Sequence, residues 1–205
     1  MIKPKPLRKA WTPKFYDRLS KNYDLLARIF FLMGEKGKEK VLIDLRIGNI
    51  LDIACGSGGL LRDSVEVGAR AFGSDTSWGM LSETRAKAPS ANLVQASFCE
   101  LPFAAGVFDT VVETNAVSGV EIESDTVLSE MLRVCRGGGE IRIGDYAKAP
   151  KESTWRRFME WIGVLFGDYP HDYAAYFREQ GLETEVEYLG FDGMYQYVKA
   201  KKVTV

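Results

Sequence analysis

Residues 50–59 read Ile-Leu-Asp-Ile-Ala-Cys-Gly-Ser-Gly-Gly, and Leu60 to Val67 continues with helical spacing. A short apolar run that turns on glycines straight into a helix constrains the fold strongly. The helix must lie back over the strand, and the next strand then enters the sheet parallel to the first. The pattern repeats. Asn49 to Ala54, Ala69 to Asp75, Asn92 to Gln95, Phe108 to Glu113 and Glu140 to Asp145 read as strands. Between them, Ser77 to Ala88 and Ser124 to Arg136 read as helices, the latter closed by Gly137, Gly138 and Gly139. The grammar changes after residue 146. Thr154 to Phe166 places Trp155, Phe158, Met159, Ile162, Leu165 and Phe166 on one helical stripe, and Asp172 to Gln180 reads as a helix ended by Gly181. Glu183 to Leu189 and Gly193 to Lys201 read as two strands joined at Gly190-Phe191-Asp192. These elements predict an α/β protein: a Rossmann-like doubly wound, mostly parallel seven-stranded sheet with a C-terminal antiparallel hairpin.

The length of 205 residues suits roughly one domain at ~150 residues each. Its first part, residues 1–40, is a basic arm followed by a helix with Tyr16, Leu19, Tyr23, Leu26 and Phe30 three or four apart, placed to cap the site. Residues 41–205 form the sheet domain, with a helical insertion at about 147–181. Net charge is 27 − 28 = −1, which argues against broad nucleic-acid binding. The average hides an asymmetry: residues 1–40 carry eleven Lys or Arg against four Asp or Glu. That arm is either an ordinary solvated face or a surface for an anionic membrane. Cys55, Cys99 and Cys135 are odd in number and far apart, so neither a disulfide framework nor a zinc knuckle is expected. No apolar run approaches the ~18 residues of a membrane span. The expectation is a cytoplasmic protein, with peripheral membrane contact left open, acting as a monomer or homodimer.

The glycine loop implies a ligand that approaches the backbone at a helix N-terminus. Asp75 ends the next strand, seventeen residues after Gly58, where a carboxylate can take two hydrogen bonds from a ribose diol. A dinucleotide fingerprint requires a third glycine, but Gly59-Leu60-Leu61 stands there. Asp52, at the strand end beneath the loop, would repel a pyrophosphate and attract a ligand carrying an ammonium and a sulfonium. The residues therefore favour S-adenosylmethionine over NAD. A nicotinamide-dependent oxidoreductase and a glycine turn without a ligand remain the alternatives.

The chain resembles the class I S-adenosylmethionine-dependent methyltransferases. Within them it is similar to the small subgroup of ubiquinone/menaquinone-biosynthesis C-methyltransferases and bacterial phospholipid N-methyltransferases. The resemblance rests on Tyr23-Asp24, the Asp52 to Gly58 loop, Asp75 with Met80, and Glu100-Leu101-Pro102-Phe103. Phe108-Asp109-Thr110-Val111-Val112 and the segment from Glu130 to Asp145 complete it. It implies roles for single residues. Asp52 sits near the methionine amino group, Ala54, Gly56 and Gly58 line the backbone approach, and Asp75 binds the ribose. Thr76 and Met80 lie along the adenine, with Ser97, Phe98 and Cys99 at its edge. Tyr23 closes over the donor end, and Thr114 and Asn115 approach the methionine portion. Ser97 stands where many relatives have Asp, which leaves an uncharged acceptor there, and Gly137 replaces a usual proline.

The cofactor brings the reactive methyl, so the protein mainly positions donor and acceptor and excludes water. No metal is expected, since the single histidine lacks neighbours at ligand spacing. His171 is a candidate general base, beside the alternative of a surface histidine. Tyr146, directly after the fifth strand, is a second acceptor-side candidate, and Tyr23 a third. The helix Thr154 to Phe166 is a lid over an apolar pocket, a helix packed on the sheet, or a membrane-surface helix. The favoured acceptor is small and apolar or lipid-like, a phospholipid amine head group or a quinone ring. The alternatives are a soluble small-molecule N- or O-methyltransferase and a non-catalytic S-adenosylmethionine-binding protein. Gly58→Val is expected to leave the fold intact and abolish cofactor binding.

Overall fold

Strand β1 (Asn49–Ile53) is buried on both faces from Ile50 onward, as an apolar run at the centre of a parallel sheet must be. The computed structural model describes residues 12–24, 40–42, 48–119, 124–148, 153–190 and 193–203. Around β1 stand β2 (Arg70–Asp75), β3 (Asn92–Gln95), β4 (Phe108–Thr114), β5 (Cys135–Tyr146), β6 (Glu183–Gly190) and β7 (Tyr195–Lys201). They form one seven-stranded sheet in the order β3-β2-β1-β4-β5-β7-β6. The first five strands run parallel, and β7 is antiparallel to both β5 and β6. The expected seven-stranded, mostly parallel sheet with a closing antiparallel pair is the one that forms. The residues expected to join that pair, Phe191 and Asp192, lie outside the described residues.

The helices follow their punctuation. Helix α1 (Pro13–Leu19) starts on a proline, whose missing N–H is lost at no expense in the first turn, and a 3₁₀ turn, Ser20–Asn22, continues it. The longer helix expected through Phe30 extends beyond the described residues. Helix α2 is Gly59–Glu66, and α3 is Trp78–Lys87, capped by Ser77, whose Oγ accepts from Met80 N. Helix α4 (Ser124–Val134) turns Val127, Leu128, Met131 and Val134 inward. Helix α5 (Thr154–Phe166) is capped by Ser153 and ends at Gly167, and α6 (Tyr173–Glu179) is capped by Asp172.

The main core lies on one face of the sheet. Leu51, Ile53, Val111, Ile141, Ile143, Val198 and Ala200 meet α4 and the α6 residues Tyr173, Ala174 and Phe177 there. At its edge Phe72, Phe103 and Phe108 pack edge to face with centroids 5.0–6.3 Å apart, each pair worth about 0.5–1.5 kcal/mol beyond burial. The opposite face buries Ile50, Leu60, Ala69 and Val112 with Val41, whose carbonyl accepts from the buried Arg142.

One expectation is corrected. Gly137, Gly138 and Gly139 do not close a helix; they belong to β5, which begins at Cys135. Phe108 pairs with Cys135 and Thr110 with Glu140, so the intervening residues of β5 form a bulge. A Cβ on Gly139 would come within 2.8 Å of Cys135 Sγ and 2.9 Å of the Asp109 carbonyl. The glycines therefore serve close approach in a strand. On α5, Trp155 is 60% and Phe158 47% exposed, while Met159, Trp161 and Ile162 are half-buried.

Candidate active site

The carboxyl ends of β1 and β2 carry the glycine loop. Ala54, Gly56 and Gly58 all have positive φ, at 52°, 53° and 80°. Asp75 organises the loop: its Oδ2 accepts from Gly56 N at 2.9 Å and its Oδ1 from Ser77 N at 2.8 Å. Burial raises the Asp75 carboxyl, and these amides pull against that rise. Thr84 of α3 donates to the Gly56 carbonyl at 2.7 Å. Asp52 is 2% exposed, set between Gly73 of β2 and Val112 of β4.

The two loop glycines differ. A Cβ on Gly56 meets nothing within 4 Å, whereas one on Gly58 would lie 2.6 Å from Thr84 Cγ2 and 2.8 Å from its Cα. The expectation that Gly58→Val leaves a folded protein is therefore corrected: that side chain collides with α3. Gly56 is the glycine that leaves room for a ligand against the backbone.

The N-terminal segment is fastened over this loop by two carboxylates. Asp17 accepts from Ser77 Oγ at 2.6 Å and from Gly79 N at 2.9 Å, and those bonds hold its carboxyl below the usual range. Asp24 accepts from Ser57 Oγ at 2.5 Å and pairs with Lys87. This fastening brings Tyr16 and Tyr23 together, rings 6.2 Å apart edge to face. Burial pushes both phenols up, and the Asp75 charge adds to the rise.

Along the same edge, Thr76 is exposed and its carbonyl accepts from Gln95 at 2.9 Å. Met80 is buried in the first turn of α3. Beyond β3, Ser97 is exposed with its Oγ accepting from Cys99 N at 3.2 Å, and Phe98 is half-buried against the main core. Thr114, half-buried, ends β4 opposite Gly144. Asn115 has φ 57° and its Oδ1 accepts from Tyr195 at 2.7 Å.

The ends of β4 and β5 carry an acidic cluster. Glu113 is fully buried, and its Oε1 accepts from Ala116 N at 2.5 Å and Val117 N at 3.1 Å. Among the described residues its Oε2 has no hydrogen-bond partner. Burial, then the Asp145 charge, push the Glu113 carboxyl well above its usual range. Burial raises Asp145 too, but it accepts from Ser118 N, Ser118 Oγ, Tyr146 N and the Tyr173 hydroxyl, at 2.7–3.0 Å. Asp168 follows α5 and is pushed up to about 6 by burial and the Asp145 charge.

Tyr146 is half-buried beside Gly163 of α5, and its hydroxyl lies 3.6 Å from Met194 Sδ. His171 forms a parallel bridge with Ala147, and its ring centroid is 5.9 Å from that of Tyr173. Thus Tyr23, Asp52, Ala54, Gly56 and Asp75 gather around β1 and β2, Tyr146 ends β5, and His171 stands beside Ala147 just after it. Sequence reasoning passed over Tyr16, Asp17, Glu113, Asp145 and Asp168 as site residues. For Glu113 and Asp145 a signal existed: a carboxylate ending an otherwise apolar parallel strand. Among the described residues no three His, Cys, Asp or Glu side chains come together as a metal-binding group.

Residues 50–139 match the methyltransferase domain family. Over 175 residues the chain is 30% identical to a demethylmenaquinone methyltransferase of Thermobifida fusca, covering 78% of this chain and 74% of that one. The chain belongs to the class I S-adenosylmethionine-dependent methyltransferases. A second demethylmenaquinone methyltransferase, of Beutenbergia cavernae, is 30% identical over 158 residues, and this methyltransferase spans 62% of its length. Among solved structures, the complex of a Haloferax volcanii methyltransferase with the Trm112 methyltransferase activator has the same fold. Its TM-score is 0.72 at 17% identity, covering 93% of this chain and 98% of that one. As a member of that family, this methyltransferase uses S-adenosylmethionine as its cofactor. Its own residues fit that group: the open face of Gly56, the Asp75 carboxylate beside it and the buried Asp52. Among the described residues no helix is long and apolar enough to cross a membrane.

Proposed function

We propose that this methyltransferase moves the methyl group to a ring carbon of a small apolar acceptor of the quinol type. The observation that carries this reading is the aromatic ladder of α5. Trp155, Phe158 and Trp161 follow one another with centroids 6.0 and 6.4 Å apart, on a helix whose Gly163 lies against Tyr146. Trp155 and Phe158 are exposed apolar surface in want of a partner, with Trp161 half-buried beside them. Through Gly163 their helix meets Tyr146 at the carboxyl end of β5, the end of an open α/β sheet where ligands bind. The names of the Thermobifida and Beutenbergia relatives support a quinone-type acceptor.

When bound, S-adenosylmethionine supplies a methyl on a positively charged sulfur, open to in-line attack. Asp75 would hold the ribose hydroxyls, Asp52 would face the methionine ammonium, and Ala54, Gly56 and Gly58 would shape the backbone beneath it. Thr76, Met80, Ser97 and Phe98 would border the adenine, and Thr114 the methionine portion. Tyr23, carried by the 1–40 arm, would close over the donor end and exclude water. Tyr146 and His171 belong to the acceptor side, within the 147–181 insertion and its approach.

The test is transfer of labelled methyl from S-adenosylmethionine to a panel of reduced demethylated quinones, phosphatidylethanolamine in vesicles, and soluble amines. Label in the quinols is the expected result. Label in phosphatidylethanolamine or the amines alone overturns the ring-carbon reading. Cofactor binding with no transfer to any acceptor assigns the chain to non-catalytic binders.

A further inference from the structure

A half-buried carboxylate without a hydrogen-bond or ion-pair partner is an expensive thing to keep next to an active site. Asp168 is one. Among the described residues nothing donates to its carboxylate. Its backbone, in contrast, is fixed on both sides: Asp168 N donates to Gly163 O at 2.9 Å, and Tyr169 N donates to Ser118 O at 2.6 Å. The first bond ties it to the end of α5, the second to the turn after β4. Ser118 in turn donates to Asp145. Asp168 is thus held at the carboxyl edge between the ladder helix and the sheet.

The groups facing it are known from each neighbouring element. From α1 comes the Tyr16 phenol, which lies within electrostatic reach of both Asp75 and Asp168. From β5 come Tyr146, which feels Asp168 and also Glu160 of α5, and Asp145, which raises Asp168 from behind. Tyr173 of α6 is bonded to Asp145, and Glu113 of β4 interacts with it. Among the described residues, none of these neighbours is a cation. The Asp168 backbone lies against Gly163, which itself packs on Tyr146 at the end of β5, and its carboxyl is within electrostatic reach of Tyr16 and Tyr146.

We propose that Asp168 is the proton acceptor for the incoming hydroxyl of a phenolic ring. The proposal rests on the quinol-type reading above. The ring O–H proton passes to the Asp168 carboxylate, and the electron pair left on oxygen is shared with the neighbouring ring carbon. That carbon forms the bond to the methyl while the methyl–sulfur bond breaks, its pair staying on sulfur, which becomes neutral. The ring carbon then sheds its own hydrogen as a proton and the ring oxygen regains one, so a single proton is released overall. A carboxylate raised to about 6 is ionised at neutral pH and is a stronger base than an exposed one.

The experiment compares wild type with Asp168→Asn and Asp168→Glu, using a reduced demethylated quinone and a titration with S-adenosylhomocysteine. Expected for Asp168→Asn is a fall in kcat of about 100-fold or more, as for loss of a general base. The limb of the wild-type kcat/KM profile that falls below about pH 6 disappears. S-adenosylhomocysteine affinity stays at the wild-type value, showing an intact fold, and Asp168→Glu restores the acid limb. If wild type methylates the quinol and Asp168→Asn keeps both rate and acid limb, the proposal is wrong while the quinol reading stands. If the acid limb vanishes in His171→Gln instead, the base is His171 and the proposal is overturned. If wild type methylates no phenolic ring, the reading beneath it fails, and the proposal with it.

Discussion

Asp75 shapes the glycine loop through one amide on each carboxylate oxygen and keeps further lone pairs for a ligand. Hydrogen bonds to a charged group are worth about 1.5–3 kcal/mol. Asp75→Ala should therefore weaken S-adenosylmethionine binding by about tenfold or more in calorimetric titration. Unchanged affinity would remove Asp75 from the site. The paired glycines make a sharper residue-scale contrast. Gly58→Val puts a branched side chain at φ 80° and into Thr84, so both strain and overpacking act against the fold. A loss of at least about 2 kcal/mol is expected from the urea midpoint. Gly56→Ala adds a methyl into open space and carries only the backbone strain, so it should stay folded and lose cofactor affinity instead. Equal stability of the two variants would contradict this. The sequence shows two glycines in one loop; which faces ligand space and which faces α3 depends on a residue 26 positions further along, Thr84.

Helix α1 could be read from Tyr16, Leu19 and Tyr23, whose spacing makes one face. Its docking could not. Asp17 reaches Ser77 and Gly79 some 60 residues away, and nothing in its local pattern marks it as more than a solvated acid. Gly79 permits the approach, since a Cβ there would come within 2.9 Å of the Asp17 Cα. Asp17→Ala should free α1 without loosening the sheet. Limited proteolysis should cut faster within Pro13–Leu19, and S-adenosylhomocysteine should dissociate faster in stopped flow, while the thermal midpoint barely moves. Unaltered proteolysis and dissociation would show that the carboxylate does not hold the segment. The glycine-rich start of β5 failed to be read for the opposite reason. Glycines after a helix are the usual stop signal. Here a strand pairing, Phe108 with Cys135, has displaced that local preference.

At the scale of the whole molecule, strand order brings two carboxyls together at the ends of β4 and β5. Glu113 and Asp145 are both raised by burial. An acid whose folded value lies above its unfolded value keeps its proton while the unfolded chain loses it. Stability from such a group is complete below the unfolded value, near about 4.3 for Glu, and falls as pH climbs toward the folded value. Glu113→Gln preserves an oxygen for the Ala116 and Val117 amides and removes the titration. Its urea midpoint should decline less than that of wild type between about pH 5 and 8, and should be the higher of the two at the alkaline end. Parallel declines would show that Glu113 carries no excess proton in the folded protein.

The alternation of apolar strands and helices, the glycine loop, and the acids at positions 52 and 75 are local patterns. They determine a parallel sheet with a glycine loop and acidic strand ends at one edge, because strand burial and turn geometry act within a few consecutive residues. What only the tertiary structure decided is how distant carboxylates meet. Asp17 and Asp24 fasten α1 over the loop, Glu113 shares a buried cluster with Asp145, and Asp168, without a donor among the described residues, is tied to the end of α5. The ionisation and the partners of these groups depend on burial and on neighbours brought in by strand order, and neither quantity is encoded in the residues beside them.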